Sequence, residues 1–203
     1  MATLFPMFVK LNGRKCLVVG GGEIAQGKLE GLLACGAAVV LVAPKVTETI
    51  AGWIRDCRLT WHAREFQPAD LEDAFLAIAA TGVPEVNEGV FRESQHRGVL
   101  CNAVDEPERC HFYSPAVVRR GPLQIAISTG GLSPALAHRL RVELEEQFGP
   151  EYACWLSELG AKRQAVFKRE VNPQRRNRIL HALASRRSFE RFLRRRRRLG
   201  GAL

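Results

Sequence analysis

Short apolar runs alternate with longer segments of mixed polarity over the first hundred residues. Each run is four or five residues long and carries almost no charge, as buried strands do. The predicted strands are residues 15–19, 38–42, 59–62, 75–79 and 99–103. The intervening segments place apolar residues at helical spacing, and the predicted helices are residues 23–35, 46–55 and 86–96. This alternation predicts βαβ units and therefore a parallel sheet.

The pattern changes over the next hundred residues. Two strand-like segments, 112–119 and 123–128, flank the turn at 120–122, which predicts a hairpin or a crossover. A helix is predicted from Ser133, a favourable N-cap residue followed by proline, to about Phe148. The remaining chain is helical in composition, with breaks at residues 172–173 and near 185.

The first strand runs directly into three glycines. Gly20, Gly22 and Ala25 fit the pattern G-x-G-x-x-A. Gly20 permits the tight turn, Gly22 lets a pyrophosphate approach the backbone, and Ala25 lets the helix pack on the strand. The helix N-terminus then offers free N–H groups to the anion. This strand–turn–helix context favours a dinucleotide site over a glycine turn with only a structural role.

The acidic residue that usually ends the second strand and binds the ribose hydroxyls is missing. Residues 41–45 read Leu-Val-Ala-Pro-Lys, without a carboxylate. Backbone groups of Pro44 and Lys45 are candidates to hold the adenosine ribose instead. Because Lys45 is a cation, these residues leave NAD and NADP both open.

The bulk composition is that of an ordinary soluble protein. The chain has 203 residues, of which 46% are hydrophobic and 25% charged. No apolar run reaches the roughly 18 residues of a membrane helix, and residues 1–6 lack the features of a secretory signal. The six cysteines form no C-x-x-C pair, so we expect reduced thiols and a cytoplasmic protein.

The net charge of +9 is unevenly distributed along the chain. Residues 151–203 hold fifteen basic and four acidic residues, a net +11, whereas residues 1–150 carry a net −2. Much of the excess lies in the run Arg194–Arg198, which is typical of a solvated tail. Nucleic-acid binding is the alternative, but no recognition motif or interleaved aromatic residue accompanies the run, so we expect no nucleic-acid partner.

Six segments together resemble one family. They are residues 4–6, 16–33, 77–81, 101–105, 112–116 and 126–137. Over about residues 4–145, their order and spacing resemble the precorrin-2 dehydrogenase/sirohydrochlorin ferrochelatase module of siroheme synthases. The motif N-x-x-D at Asn102–Asp105 and the motif I-S-T-G-G-x-S-P at residues 127–134 are much more specific than the glycine turn.

The resemblance implies NAD-dependent oxidation of precorrin-2 to sirohydrochlorin, with Asp105 as the essential acid/base group. It implies cofactor contacts at Glu23 and Ile24, and again at Pro44 and Lys45. It also implies a homodimer in which the segment after the nucleotide-binding domain interlocks between subunits. A separate methyltransferase would have to supply precorrin-2, because the chain is too short to contain that enzyme as well.

Precorrin-2 carries eight carboxylates, so its site needs cations and hydrogen-bond donors. The candidate substrate-binding residues are Lys28, Arg119, Arg120, Thr129 and Arg139. For any one of these cations, solvated surface charge is the plainer interpretation. Thr81 follows the fourth predicted strand and Asn102 lies near the end of the fifth, where nicotinamide would lie. Both are candidates either for cofactor contacts or for loop capping.

Two alternatives accompany this interpretation. Cys101, Asp105, Cys110 and His111 are close in sequence but fit no known metal-ligand spacing, so no fixed metal site is predicted. The resemblance leaves open whether the protein also inserts Fe²⁺ into sirohydrochlorin, with Asp105 serving both reactions. A non-catalytic NAD(P)-binding regulatory protein would keep the glycine turn but has no need of the N-x-x-D motif.

The predicted fold class is therefore α/β, with three segments. Residues 1–112 form an N-terminal Rossmann domain with a parallel sheet. Residues 113–148 form a small dimerisation segment, and residues 149–203 form a C-terminal helical domain.

Overall fold

The structure is a computed structural model that describes residues 4–198. Two parts of the chain lie outside the described residues. They are residues 1–3, within the stretch predicted not to be a secretory signal, and residues 199–203, at the end of the predicted helical domain. The described chain divides into two compact units, which meet in sequence at Ser114 and Pro115. The three predicted segment boundaries stay a prediction.

The first unit is an α/β layer structure built on one parallel sheet. Its strands are β1 (Lys15–Val19), β2 (Ala38–Val42), β3 (Thr60–His62), β4 (Leu76–Ala79) and β5 (Leu100–Ala103). Its helices are α1 (Glu23–Ala34), α2 (Glu48–Arg55) and α3 (Pro84–Arg97), with short 3-10 turns at Pro68–Leu71 and Pro107–Arg109. The strand order is β3-β2-β1-β4-β5, and every pairing is parallel. This order is that of a Rossmann fold, as predicted.

Two hydrophobic clusters sandwich this sheet. Leu29 of α1 and Ile50 of α2 are fully buried in one cluster, and Val90 of α3 is fully buried in the other. The strands between them are buried on both faces, which explains their nearly continuous apolar sequences. The sheet is therefore a rigid platform for the loops at its edges.

The second unit contains a hairpin and four helices. The strands β6 (Ala116–Arg120) and β7 (Leu123–Ile127) pair in antiparallel register. The helices are α4 (Pro134–Gln147), α5 (Glu151–Arg169), α6 (Pro173–Leu183) and α7 (Arg186–Arg198). Of the two arrangements left open by the sequence for residues 112–128, the hairpin is the one formed.

The predicted element boundaries agree with the structure to within a few residues. The hydroxyl of Ser133 caps α4 by accepting a hydrogen bond from the N–H of Leu136, at 3.2 Å, and Pro134 occupies the first helical position as expected. All six cysteines are free thiols. Of the helices between residues 4 and 198, none combines the length and apolar character needed to cross a membrane.

Candidate functional site

The strand order reverses direction between β1 and β4. In such sheets, ligands bind in the crevice at the carboxyl ends of the strands where the order reverses. Gly20 follows β1 at this point, and Ala80 and Thr81 follow β4. The predicted dinucleotide site thus lies where the topology places a crevice.

The first two glycines of the turn are required by close backbone contacts. Gly20 has a φ of +114°, and a Cβ there would lie 2.3 Å from the carbonyl oxygen of Ala80. A Cβ on Gly21 would lie 2.1 Å from the carbonyl oxygen of Lys45. Because both contacts are with backbone, no side chain can be admitted without moving the loops after β2 and β4. Gly21 was not predicted to matter, although the third consecutive glycine was the available signal.

The third glycine faces open space. A Cβ on Gly22 would meet no atom within 4 Å, so room for a larger group exists beside the backbone. Gly22 is the N-cap of α1 and supplies no side-chain cap, which leaves first-turn N–H groups of the helix available. An anion fits this position because the helix dipole is positive there.

Glu23 and Ile24 form the first turn of α1 and both are exposed. The Ile24 side chain is 55% exposed, which is unusual for a large apolar residue beside a well-packed sheet. An exposed apolar group next to an anion position suits a ligand that has both a phosphate and a flat ring.

The loop after β2 is tied to the glycine turn. The N–H of Thr47 donates to the Gly21 carbonyl at 3.0 Å, and the Thr47 hydroxyl donates to Gln26 Oε1 at 2.7 Å. Pro44 and Lys45 are therefore held at the carboxyl end of β2 with both side chains exposed. The structure places these two predicted contacts beside the glycine turn.

Thr81 is at the carboxyl end of β4, next to the same crevice, but its hydroxyl is already used. It donates to Asn87 Oδ1 at 2.7 Å and accepts from the Val83 N–H at 3.2 Å. These bonds connect the loop to the first turns of α3. Loop capping, one of the two interpretations of Thr81, is thus observed, and a cofactor contact stays a prediction.

Asp105 lies in the turn directly after β5. Its φ is +63°, a left-handed conformation in which Asp and Asn are enriched among non-glycine residues. The N–H of Val104 donates to the Ala79 carbonyl at 2.9 Å and fixes the start of the turn to β4. Glu106 fixes its other side through Arg109 and through the amide of Asn87.

The Asp105 side chain is exposed, and within residues 4–198 it has no hydrogen-bond or ion-pair partner. No neighbour therefore neutralises this carboxylate, whereas the adjacent Glu106 is paired with Arg109. An unpaired carboxylate on a fixed turn is suited to accept a proton from a ligand at the strand ends.

Asn102 holds the chain that follows this turn. Its Nδ2 donates to the Phe112 carbonyl at 2.8 Å and to Cys110 Sγ at 3.2 Å. Cys110 in turn donates to the Ala103 carbonyl at 3.1 Å, and burial raises the pKa of its thiol. The buried Asn102 is thus a clamp on residues 110–112, with only its amide oxygen left for the predicted cofactor contact.

Lys28 of α1 is half-buried, and its positive charge partly offsets the rise that burial causes in the pKa of the Cys110 thiol. Its substrate-binding role stays a prediction.

The remaining substrate-binding predictions lie in the second unit. Arg120 donates to the carbonyl oxygens of Phe148 at 2.7 Å and of Glu145 at 2.9 Å, so it caps the C-terminal end of α4. Its guanidinium satisfies carbonyls that the helix leaves unpaired, and its substrate-binding role stays a prediction.

The other three predicted substrate-binding residues in this unit are Arg119, Arg139 and Thr129. Arg119 is exposed at the end of β6. Arg139 pairs with Glu143 across one turn of α4, at 3.5 Å. The Thr129 hydroxyl accepts from the Ser133 N–H and donates to the Ser133 carbonyl, both at 3.1 Å, so it shapes the loop before α4. Their binding roles stay predictions.

Metal ligation has no support in the described residues, where no three His, Cys, Asp or Glu side chains converge on one point. Three of the four residues considered for a metal, Cys101, Cys110 and His111, make other contacts. His111 Nδ1 accepts from the Cys101 N–H at 3.0 Å, and burial raises the pKa of the Cys101 thiol to about 11.

Comparison with known proteins identifies the group to which this architecture belongs. Residues 7–116 match the family described as putative NAD(P)-binding, so the first unit is an NAD(P)-binding domain. Residues 120–147 match the family described as sirohaem biosynthesis protein, central. These two matches cover the glycine turn, the Asp105 turn, β7 and α4.

Individual relatives carry both regions. The siroheme synthase of Methylobacillus flagellatus is 43% identical over 176 residues, which are 87% of this chain and 38% of the relative. The siroheme synthase of Xylella fastidiosa is 38% identical over 177 residues, 87% of this chain and 37% of the relative. The chain thus spans well under half the length of these curated relatives.

A solved structure matches along nearly the whole chain. SirC, precorrin-2 dehydrogenase, superposes with a TM-score of 0.77 at 29% sequence identity, covering 90% of each chain. The match therefore extends beyond the nucleotide-binding sheet into the second unit. The chain belongs to the family of the siroheme synthase N-terminal module and the precorrin-2 dehydrogenase SirC.

Proposed function

We propose that this protein is a precorrin-2 dehydrogenase that uses NAD to oxidise precorrin-2 to sirohydrochlorin. The observation that carries the proposal is the match to SirC, precorrin-2 dehydrogenase, over 90% of both chains. A nucleotide-binding domain alone would support many functions. The combination of that domain with the hairpin, α4 and the unpaired Asp105 supports this one.

The residues of the crevice fit a dinucleotide. The open space at Gly22 and the uncapped N-terminus of α1 suit the pyrophosphate. We assign the neighbouring contacts to Glu23 and Ile24, and the adenosine ribose to the backbone of Pro44 and Lys45. Because Lys45 follows β2 as a cation, these residues do not choose between NAD and NADP, and running the assay below with each cofactor decides between them.

The chemistry requires precorrin-2 to lose two hydrogens, one as a hydride and one as a proton. Bound NAD supplies the hydride acceptor. Asp105 accepts the proton on its carboxylate, which no cation of the described chain neutralises. The left-handed turn and its bonds to β4 hold this carboxylate at the strand ends, so it need not reorganise when substrate arrives.

The expected partners follow from the same proposal. The substrate is a tetrapyrrole, and the protein acts in the cytoplasm. The protein works as a homodimer. Iron insertion stays a separate prediction, because no observation on the described residues favours it over oxidation alone.

The central experiment mixes the purified protein with NAD and precorrin-2 and follows NADH formation together with the tetrapyrrole absorption. Asp105→Asn keeps the shape and tolerates the left-handed turn, but it removes the base. We expect a loss of about 10² to 10⁴ in turnover, with NAD affinity unchanged.

Glu108→Gln is the matched control, because Glu108 is exposed in the next turn of the same loop and forms no ion pair with residues 4–198. It should retain near-normal turnover. Near-normal NADH formation by Asp105→Asn would remove Asp105 from the mechanism. Measuring iron insertion in the same variant shows whether any chelation activity shares this carboxylate.

A further inference from the structure

The two units differ sharply in charge. The first unit, up to Ser114, has eleven basic and fourteen acidic residues, a net −3. The second unit, from Pro115, has nineteen basic and seven acidic residues, a net +12. A ligand with many carboxylates is attracted by the second unit and repelled by the first.

Helix α7 has a fixed orientation within the second unit. Phe189 lies 4.4 Å from the ring of Tyr152 and 4.8 Å from that of Trp155, both on α5. Phe192 and Ser188 are buried on the same side of α7. This aromatic packing determines which residues of α7 face outward.

The outward face carries a row of arginines, here called the arginine stripe: Arg187, Arg191, Arg194 and Arg198. Their spacing of four, three and four residues places them along one side of the helix. All four are exposed, and within residues 4–198 none has a carboxylate or other partner. At 1.5 Å per residue, the stripe is about 16 Å long.

Unbalanced arginines at this spacing destabilise a helix slightly, because like charges repel one turn apart. Two other arginines of α7 are paired, since Arg186 bonds to Glu190 and Arg195 bonds to Glu158. The stripe is therefore a local excess of positive charge on a helix whose opposite face packs against α5. A polyanionic ligand would relieve that repulsion.

We propose that the arginine stripe binds the carboxylates of a tetrapyrrole. The inference rests on the proposed function, whose substrate carries eight carboxylates. Among the cations predicted elsewhere, Arg120 caps α4 and Arg139 is paired with Glu143, which leaves Lys28 and Arg119, two cations for eight carboxylates. Guanidinium groups bind carboxylates with two parallel hydrogen bonds each.

Nucleic acid is the rival occupant of such a surface. Proteins that bind single strands place aromatic side chains among the cations, so that bases can stack on them. On α7 the aromatic residues, Phe189 and Phe192, point into the aromatic cluster on the opposite side. The stripe offers charge without a stacking platform, which favours a compact polycarboxylate.

The test uses uroporphyrin, a fluorescent tetrapyrrole with eight carboxylates that the dehydrogenase reaction does not consume. Its binding to the full-length protein is measured by fluorescence anisotropy at low and high salt. The variant carries Arg187→Gln, Arg191→Gln, Arg194→Gln and Arg198→Gln. We expect uroporphyrin affinity to fall about tenfold or more, since four exposed ion pairs together contribute on that order.

The matched control removes four positive charges from the first unit. It carries Arg55→Gln, Arg58→Gln, Arg92→Gln and Arg97→Gln, all at exposed positions. Affinity should change less than twofold in this variant. An equal loss in both variants would show that only net charge matters, and no loss in the stripe variant would equally overturn the proposal.

Two further readouts separate the rivals. Coproporphyrin, with four carboxylates, should bind more weakly than uroporphyrin. If a short duplex or single-stranded DNA displaces bound uroporphyrin at a concentration below the Kd of uroporphyrin itself, the stripe is a nucleic-acid surface and the proposal is wrong.

Different results would contradict the arginine-stripe proposal and the proposed dehydrogenase function. Wild-type protein that produces NADH from precorrin-2, while the stripe variant binds uroporphyrin normally, contradicts the stripe alone. Wild-type protein that produces no NADH contradicts the dehydrogenase, whatever the porphyrin binding. In an active enzyme, the stripe variant should lose kcat/KM for precorrin-2 at low salt and recover it at high salt, with kcat unchanged.

Discussion

Gly22 shows most clearly how one residue sets the chemistry of the site. Its φ of −83° is accessible to any amino acid, and no atom lies within 4 Å of a Cβ built on it. The glycine is therefore not demanded by the fold. We propose that the glycine serves a ligand that approaches the backbone at the start of α1.

We expect Gly22→Asp to abolish the rise in melting temperature that NAD produces, because a carboxylate would occupy the pyrophosphate position. Without NAD, the variant should be as stable as the wild type or slightly more so, since Asp is a favourable N-cap residue. Differential scanning fluorimetry with and without NAD checks both points.

Gly27→Asp is the control, because it adds the same charge on the same helix at a position with no atom near its Cβ. The control should keep the full NAD effect. An unchanged NAD effect in Gly22→Asp would contradict the assigned site.

Sequence reasoning located individual residues well where a motif carried its own geometry. Gly20, Gly22 and Ala25 have the environments that the glycine pattern requires. It did not predict that the Arg120 guanidinium caps α4, because a contact across 28 residues leaves no trace in local sequence. The clamp of Asn102 on residues 110–112 was missed for the same reason.

At the scale of elements, the strands and helices of the first unit and the two strands of the hairpin lie within a few residues of their predicted positions. Periodicity succeeds here because each element buries one side, or both sides, against a continuous core. Helix α4 was predicted from its Ser133-Pro134 start, and α5 to α7 were predicted from composition and from the breaks at residues 172–173 and near 185. Apolar periodicity does not predict the conformation of the connections, because polar contacts determine it. The connection between β3 and β4 is the clearest case.

Asp70 organises that connection. Its carboxylate accepts from Arg64 at 2.6 and 2.9 Å and from the Gln67 N–H at 2.8 Å, although it is almost completely buried. The Arg64 guanidinium holds the pKa of the Asp70 carboxyl below its usual value. A lowered folded-state pKa means that ionised Asp70 stabilises the fold at neutral pH.

We expect Asp70→Asn to lower the free energy of unfolding by about 1 to 3 kcal/mol at pH 7. The stabilisation is present above the ordinary Asp pKa near 3.9 and disappears as the pH falls through the lower folded value. Urea unfolding of both proteins from pH 7 to pH 3 should therefore show a shrinking difference.

Asp73→Asn serves as the comparison, since Asp73 is exposed and unpaired within the described chain. It should change stability little at any pH. A constant difference between wild type and Asp70→Asn across the pH range would mean that the ion pair is not its source.

On the scale of the whole molecule, the two units are unequally packed. Both large hydrophobic clusters lie in the first unit. In the second unit, the buried apolar residues of the described chain are Val118, Ala137 and Phe192. So small a core rarely stabilises a unit of this size without further burial.

We expect the missing burial to come from a second copy, through an interface between Ser114 and Phe148. Light scattering at micromolar concentration should give a mass about twice 22.6 kDa. Val142→Glu should weaken the dimer, because Val142 is an exposed apolar residue of α4 in the predicted interface.

Val171→Glu is the matched change outside that interface, at an apolar residue that is even more exposed. It should leave the mass unchanged. A monomeric wild type would contradict the dimer, and a normal mass for Val142→Glu would move the interface away from that part of α4.

The clamp on residues 110–112 has a consequence for association as well as for the site. Asn102 and Cys110 form an antiparallel bridge, and the His111 N–H donates to the Cys101 carbonyl at 2.8 Å, so part of the outer edge of β5 is occupied by the chain's own backbone. At the other edge, β3 is only three residues long. Short or covered edges resist strand-by-strand aggregation between molecules. A variant that frees residues 110–112 would therefore expose unpaired backbone groups along the edge of β5. It should aggregate more readily, while its cofactor turn stays intact.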